Sequence, residues 1–293
     1  MATSEEWTTA AHSLLENATR KLLELRSQPD WRHELPSRCP PILWFGNARA
    51  TKPLIVTVGA NPSRQEYLAD ARSTAIDKVR STGNESMLSW LEPPLNRFRL
   101  LKRTESLDDL LTSEVLRHDI IEGYNRYFAR NPYSRWFGQR VAPYNVEAFL
   151  QGAGASYYDG HPARFQAVHI DLFPFATLDD FKSLQRQTER DLFRTRWAQG
   201  FMLELLTLLQ PRALVIFGKT NFELFGKYHD ARARQFDWTQ HGAGRFCYGR
   251  TSASDSLVIG LSTNLGNPIG FDKQGLREFG ARVARASGLI SVA

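Results

Sequence analysis

Gly59-Ala60-Asn61-Pro62-Ser63 follows directly on the apolar run Leu54 to Val58. A buried strand that ends in Gly-x-Asn-Pro delivers a fixed amide side chain and a turn of backbone donors to the carboxyl edge of a sheet, where open α/β folds place their ligands. Three later apolar runs also end on polar groups. Ala167 to Leu172 carries Asp171 and leads into Phe173-Pro174-Phe175-Ala176-Thr177, and Ala213 to Phe217 leads into Gly218-Lys219. Leu257 to Leu261 leads into Ser262-Thr263-Asn264-Leu265-Gly266-Asn267-Pro268. Four strand ends would thus bring amides, a carboxyl, hydroxyls and a lysine to one crevice, a set suited to hydrogen-bonding an organic ligand. A metal is not expected: Cys39 and Cys247 are far apart, and there is no CxxC and no histidine cluster at ligand spacing. No Gly-x-Ser-x-Gly elbow or triad speaks for an α/β hydrolase acting on a small nucleoside or ester.

To hold these ends together the four runs must be neighbouring strands. Helical stretches separate the last three runs, as from Asp179 to Gln210, and Asp272 to Ala286 closes the chain. The consistent solution is an α/β fold, a three-layer α/β/α arrangement with a central, mostly parallel four-stranded sheet. Residues 1–40 read as a helical extension, with Ser4, Glu5 and Glu6 as a cap and Leu14, Leu15, Ala18, Leu22 and Leu25 on one helical face packed outside the sheet. Residues 64–164, rich in aromatics and arginine, read as a mostly helical insertion after the first strand, so that 1–293 forms one domain. No repeat or flexible linker interrupts it.

The balance of 37 Lys and Arg against 31 Asp and Glu gives +6 and a pI near 9.4. That suits a polyanionic partner and fits plain cytosolic enzymes equally. The amino terminus lacks a basic and apolar leader pattern, and no apolar span reaches membrane length. A cytoplasmic monomer without membrane attachment or cofactor is expected.

The first, second and fourth strand ends resemble the uracil-DNA glycosylase superfamily: a Gly-x-Asn/Asp-Pro motif, a strand ending in a base-reading polar residue before an apolar Pro-containing turn, and a late loop that enters DNA. Gly218-Lys219 matches a recurrent turn there. The resemblance covers roughly residues 40–285, with the insertion aligned loosely. It implies a monofunctional glycosylase that flips a nucleotide and hydrolyses its N-glycosidic bond.

By that resemblance Asn61 would orient the attacking water, with Gly59, Ala60, Pro62, Ser63, Leu172 and Ser262 lining the base; an amide is a poor base, so its role is positioning. Asp171 stands where many relatives have Asn. A carboxylate repels uracil O4 but accepts from the exocyclic amine of cytosine, and if protonated could donate to cytosine N3. Ser63 replaces a Tyr that closes the uracil pocket at C5, leaving room for a C5 substituent. Together they point to hydroxymethylated or glucosylated cytosine in phage DNA, as in a phage-defence branch of the superfamily. The late loop lacks the family's His-Pro-Ser, so either Asn264 or Ser262 would donate to base O2. Leu265 would be the DNA wedge, and Phe137, within Tyr133, Trp136 and Phe137, the stacking aromatic. Arg64 and Lys219 would meet phosphates.

Blander readings stand beside these: an Asn-Pro turn at Asn61, an Asx turn at Asp171, core positions for Leu265 and Phe137, and a core histidine at His169. The functional alternatives are a repair glycosylase for uracil or a mismatched or damaged pyrimidine, and a catalytically silent nucleic-acid binder.

Overall fold

The four apolar runs are adjacent parallel strands inside a seven-stranded mixed sheet, seen in a computed structural model that describes residues 3–70, 73–251 and 256–290. The strands are β1 (Leu54–Gly59), β2 (Ala155–Ser156), β3 (Phe165–Asp171), β4 (Ala213–Phe217), β5 (Thr239–His241), β6 (Gly244–Arg250) and β7 (Leu257–Leu261). Their order is β2-β3-β1-β4-β7-β6-β5, parallel from β2 to β7 and antiparallel through β6 and β5. The chain is α/β, but the expected sheet of four strands is corrected to seven. β1, β3, β4 and β7 are buried at every position, which is why they read as continuous apolar runs. The other three hide for physical reasons. β2 has two residues, β5 is largely exposed, and β6 interleaves buried Phe246 and Cys247 with outward Arg245 and Tyr248.

The chain divides into two compact units. One comprises residues 44–59, 128–172 and 209–293, and contains the whole sheet. Its helices include Ser134–Phe137, Asn145–Gly152, Lys219–Tyr228 and Lys273–Ala286, the last capped by the Asp272 side chain on the Gly275 N–H. Asn145–Gly152 and Lys273–Ala286 pack on each other, and Lys219–Tyr228 packs on β4 and β7.

The other unit comprises residues 1–43, 60–127 and 173–208 and is helical. Its longest helix, Ser4–Arg26, begins with a capping box in which Thr3, rather than Ser4, accepts from the Glu6 N–H and Glu6 accepts from the Thr3 N–H. Its buried face packs on Asp109–Thr112 and Glu114–Asn125. The boundary at Tyr127 falls inside the stretch read as one helical insertion, and the boundary at Gly59 falls inside the Gly-x-Asn-Pro motif. Among the described residues no helix is long and apolar enough to cross a membrane.

Candidate functional site

The chain runs from β1 to β2 and β3 on one side and then crosses past β1 to β4 on the other, and this reversal marks the switch point outside whose carboxyl ends open α/β sheets bind ligands. In the sheet unit that edge is formed by Gly59, Asp171, Phe217 and Leu261, with Gly59 paired to Asp171 and Phe217 to Leu261. The loops beyond β4 and β7 are joined by the Gly218 N–H donating to Thr263 O at 3.2 Å. Gly218 has φ +84°, a conformation that suits glycine at this strand-to-helix turn.

Asp171 is 4% exposed, and its Oδ1 lies 3.3 Å from His169 Nε2. Its Oδ2 makes no hydrogen bond among the described residues. Residues two apart on a strand share a face, which is how β3 presents both side chains together. They occupy the space above Gly59: a Cβ there would stand 2.5 Å from Asp171 Oδ1 and 2.9 Å from His169 Nε2. The register sets Thr57 beside His169, and its Oγ1 lies 2.9 Å from His169 Nδ1 and 2.6 Å from the Tyr157 hydroxyl. Tyr157, Thr57, His169 and Asp171 therefore form a buried chain of polar groups, each 4% exposed or less. The order Thr-His-Asp resembles a nucleophilic triad, yet Thr57 is fully buried and out of a substrate's reach.

Aromatic rings enclose His169, with Trp136, Phe137, Phe45 and Phe217 centred 5.0, 5.2, 5.6 and 6.4 Å away. Phe137 is 2% exposed and also meets Phe128 and Tyr157, so it occupies the core place. Trp136, half-buried, is the member of that pair with accessible surface. Behind Tyr157 lies Glu147, fully buried, which accepts from Ser156 Oγ at 2.6 Å, the Tyr157 N–H at 3.2 Å and Gln151 Nε2 at 3.1 Å. Burial pushes its carboxyl up to about 7 against those three bonds, and burial likewise holds the Tyr157 phenol well above its ordinary value.

In the loop after β7, Ser262 is tied to β6, its N–H donating to Arg245 O and its Oγ accepting from the Arg245 N–H. Asn264 is exposed and closes an Asx turn, with Oδ1 accepting from the Gly266 N–H at 3.0 Å. Its Nδ2 makes no hydrogen bond among the described residues. Leu265 is fully buried, whereas Ile269 of the same loop is 81% exposed. Lys219 is exposed and lies 3.5 Å from Glu223. Leu172 is buried, its N–H donating to Gly59 O.

The helical unit carries the remainder of the motif. Asn61 Nδ2 donates to Thr177 Oγ1 at 2.8 Å, and Thr177 in turn donates to Asp179 O at 2.7 Å. A hydroxyl has one hydrogen, so Thr177 can offer Asn61 only lone pairs, and the amide must turn its nitrogen toward Thr177. Asn61 Oδ1 is left without a hydrogen bond among the described residues. Ala60 O accepts from the Phe173 N–H at 2.9 Å, and Pro62 is buried. Ser63 is exposed and caps a short 3-10 turn through the Gln65 N–H. Arg64 folds back onto the 177–180 segment, donating to Leu178 O at 3.1 Å, with Asp180 at 3.9 Å.

Sequence reasoning left His169 in the core and gave no role to Thr57 or Thr177. The alternation of His169 and Asp171 was a usable signal; the other pairs join strands and loops 100 to 116 residues apart. Among the described residues no group of three or more His, Cys, Asp or Glu could hold a metal ion. No protein-family model matches the chain, and no curated protein matches it.

Proposed function

We propose that the chain is a monofunctional DNA glycosylase on the three-layer fold of the uracil-DNA glycosylase superfamily, acting as a cytoplasmic monomer on C5-modified cytosine in phage-derived DNA. The observation that carries this reading is Asp171 at the switch-point edge, one carboxyl oxygen held by His169 and the other uncommitted. An ionised Oδ2 accepts from the exocyclic amine of a cytosine and repels O4 of uracil. Ser63, short and exposed, is consistent with a base bearing a C5 group. Rejection of unmodified cytosine would come from contacts to that group, which can discriminate by as much as ~10⁴.

In the reaction, water adds to the sugar C1′ while the C1′–N1 bond breaks and its electron pair leaves with the base, which then takes up a proton. Asn61 Oδ1, turned away from Thr177, supports this by accepting a hydrogen bond from that water and so orienting it, without taking its proton. Asn264 is the better of the two candidates for the bond to base O2, because its Nδ2 is uncommitted while Ser262 is tied to Arg245. Lys219 contributes a charge for a phosphate, and Arg64, engaged with the 177–180 segment, contributes less.

The test is incubation, without added metal, with oligonucleotides bearing uracil, cytosine, 5-hydroxymethylcytosine or its glucosylated form, followed by alkali cleavage of abasic sites. Cleavage at a modified cytosine, abolished in Asn61→Ala and moved toward uracil in Asp171→Asn, is the expected result. Cleavage at uracil alone would overturn the substrate assignment, and no cleavage of any oligonucleotide would overturn the enzyme assignment.

A further inference from the structure

His169 has a partner on each ring nitrogen, Thr57 Oγ1 at 2.9 Å from Nδ1 and Asp171 Oδ1 at 3.3 Å from Nε2. Its packing fixes the ring plane, since Trp136 and Phe137 meet it edge to face and Phe217 lies parallel. With a neutral ring the hydrogens in this chain have two self-consistent arrangements; a doubly protonated ring would donate from both nitrogens, to Thr57 and to Asp171. In the first, Tyr157 donates to Thr57, Thr57 donates to Nδ1, and Nε2–H donates to an Asp171 oxygen. In the second, Thr57 donates to Val168 O at 3.1 Å, Nδ1–H donates to Thr57, and Nε2 accepts from a protonated Oδ1. The first leaves Oδ1 as acceptor only and gives Oδ2 to the ligand, as an acceptor when ionised and a donor when protonated. The second traps the carboxyl proton against the ring.

We infer that His169 is a positioning residue for base selection: its Nε2–H pins Asp171 Oδ1, the Tyr157–Thr57 hydroxyls hold the ring in that tautomer, and Oδ2 is thereby the oxygen that reads the base. This rests on the reading of Asp171 as the base-contacting carboxyl. The absence of a side chain at Gly59 belongs to the same device, because a Cβ there would fall on both atoms of the His169–Asp171 bond. The ionisable groups along the chain are Asp171 on the same strand, Tyr157 after β2, and Glu147 behind Tyr157; the rings of Phe45, Trp136, Phe137 and Phe217 carry no charge.

Two measurements test it. The ring ¹⁵N shifts of histidine-labelled protein, with His169 among 7 histidines assigned by its loss in His169→Gln, should show Nε2 carrying the ring hydrogen and Nδ1 bare. A ring protonated at Nδ1 would overturn the inference whether or not the protein is an enzyme. The second measurement is the ratio of single-turnover rates on modified cytosine and uracil. His169→Phe should lower that ratio at least tenfold, and His169→Gln, whose Nε2 can still donate to Oδ1, should restore most of it. General structural damage would slow both substrates together and leave the ratio unmoved, and an unmoved ratio in a folded His169→Phe would overturn the role. A wild type that excises neither base refutes the glycosylase reading, while the tautomer still decides the hydrogen-bond assignment.

Discussion

Asn61 Nδ2 donates to Thr177 Oγ1 at 2.8 Å, and because Thr177 spends its hydrogen on Asp179 O, this bond decides which end of the Asn61 amide faces outward. Replacing Thr177 by valine keeps the shape and removes the lone pairs that accept from Asn61. The amide is then free to flip, presenting a donor where an acceptor is needed. The expected result is a single-turnover excision rate lowered about 10- to 100-fold, the scale of a mispositioned reactant, with a stability loss of about 1–2 kcal/mol from the broken hydrogen bonds. Rapid-quench kinetics paired with urea denaturation separates the two effects. An unchanged rate in the folded variant would show that Asn61 does not act through its orientation.

Much of the central sheet was legible because β1, β3, β4 and β7 are buried on both faces and read as unbroken apolar runs. The edge elements were not, since an exposed strand such as Thr239–His241 carries no apolar signature. The placement of Asn61 and Asp171 at strand ends was legible too. What holds them was not: Thr177 lies 116 residues from Asn61, and Thr57 lies 112 from His169. Those pairs are products of loop closure and strand register, which a local pattern does not encode. Phe137 and Leu265 were given contacts with DNA, yet they are 2% and 0% exposed; aromatic and leucine side chains beside a site line the core as readily as the ligand.

Gly59→Ala probes the crowding above β1. The new Cβ would meet Asp171 Oδ1 at 2.5 Å and His169 Nε2 at 2.9 Å, closer than carbon tolerates, so one of those two side chains must move. Overpacking of this kind costs roughly 1–3 kcal/mol. The urea midpoint should fall accordingly, and excision of modified cytosine should fall further than excision of uracil if the displaced carboxyl reads the base as proposed. Wild-type selectivity in this variant would argue that Asp171 does not read the base.

Glu147 and His229 set opposing pH slopes. Burial raises the Glu147 carboxyl from 4.5 to about 7, so the folded state holds a proton that the unfolded chain releases, and stability from this group falls as pH rises from about 4.5 to 7. Burial lowers His229 from 6.5 to about 4, so the unfolded chain binds the extra proton and stability from His229 rises over about 4 to 6.5. Each shift corresponds to roughly 3 kcal/mol, and the two nearly offset one another between pH 4.5 and 6.5. Relative to wild type, Glu147→Gln should become progressively more stable as pH rises through that window, and His229→Gln progressively less. Denaturation midpoints at half-unit pH steps would show the two profiles diverging; parallel profiles would place the titrating groups elsewhere.

The loop after β7 offers an exposed apolar side chain at Ile269 rather than at Leu265. That loop is anchored at several points: Leu265 is buried, Asn264 accepts from the Gly266 N–H, and Asn145 Nδ2 donates to Gly266 O at 3.2 Å. Beyond this anchor, Pro268 and Gly270, the latter with φ +83°, flank an isoleucine that is 81% exposed. An exposed aliphatic group of that kind suits insertion between base steps, where it fills the gap left by a flipped nucleotide. The two positions should therefore respond oppositely. Leu265→Ala should cost about 2–5 kcal/mol of stability, as expected for a buried leucine. Ile269→Ala should leave the denaturation midpoint unchanged and slow excision from duplex DNA several-fold, with excision from single strands, which need no wedge, little affected. Equal slowing on both substrates would remove the wedge role from Ile269.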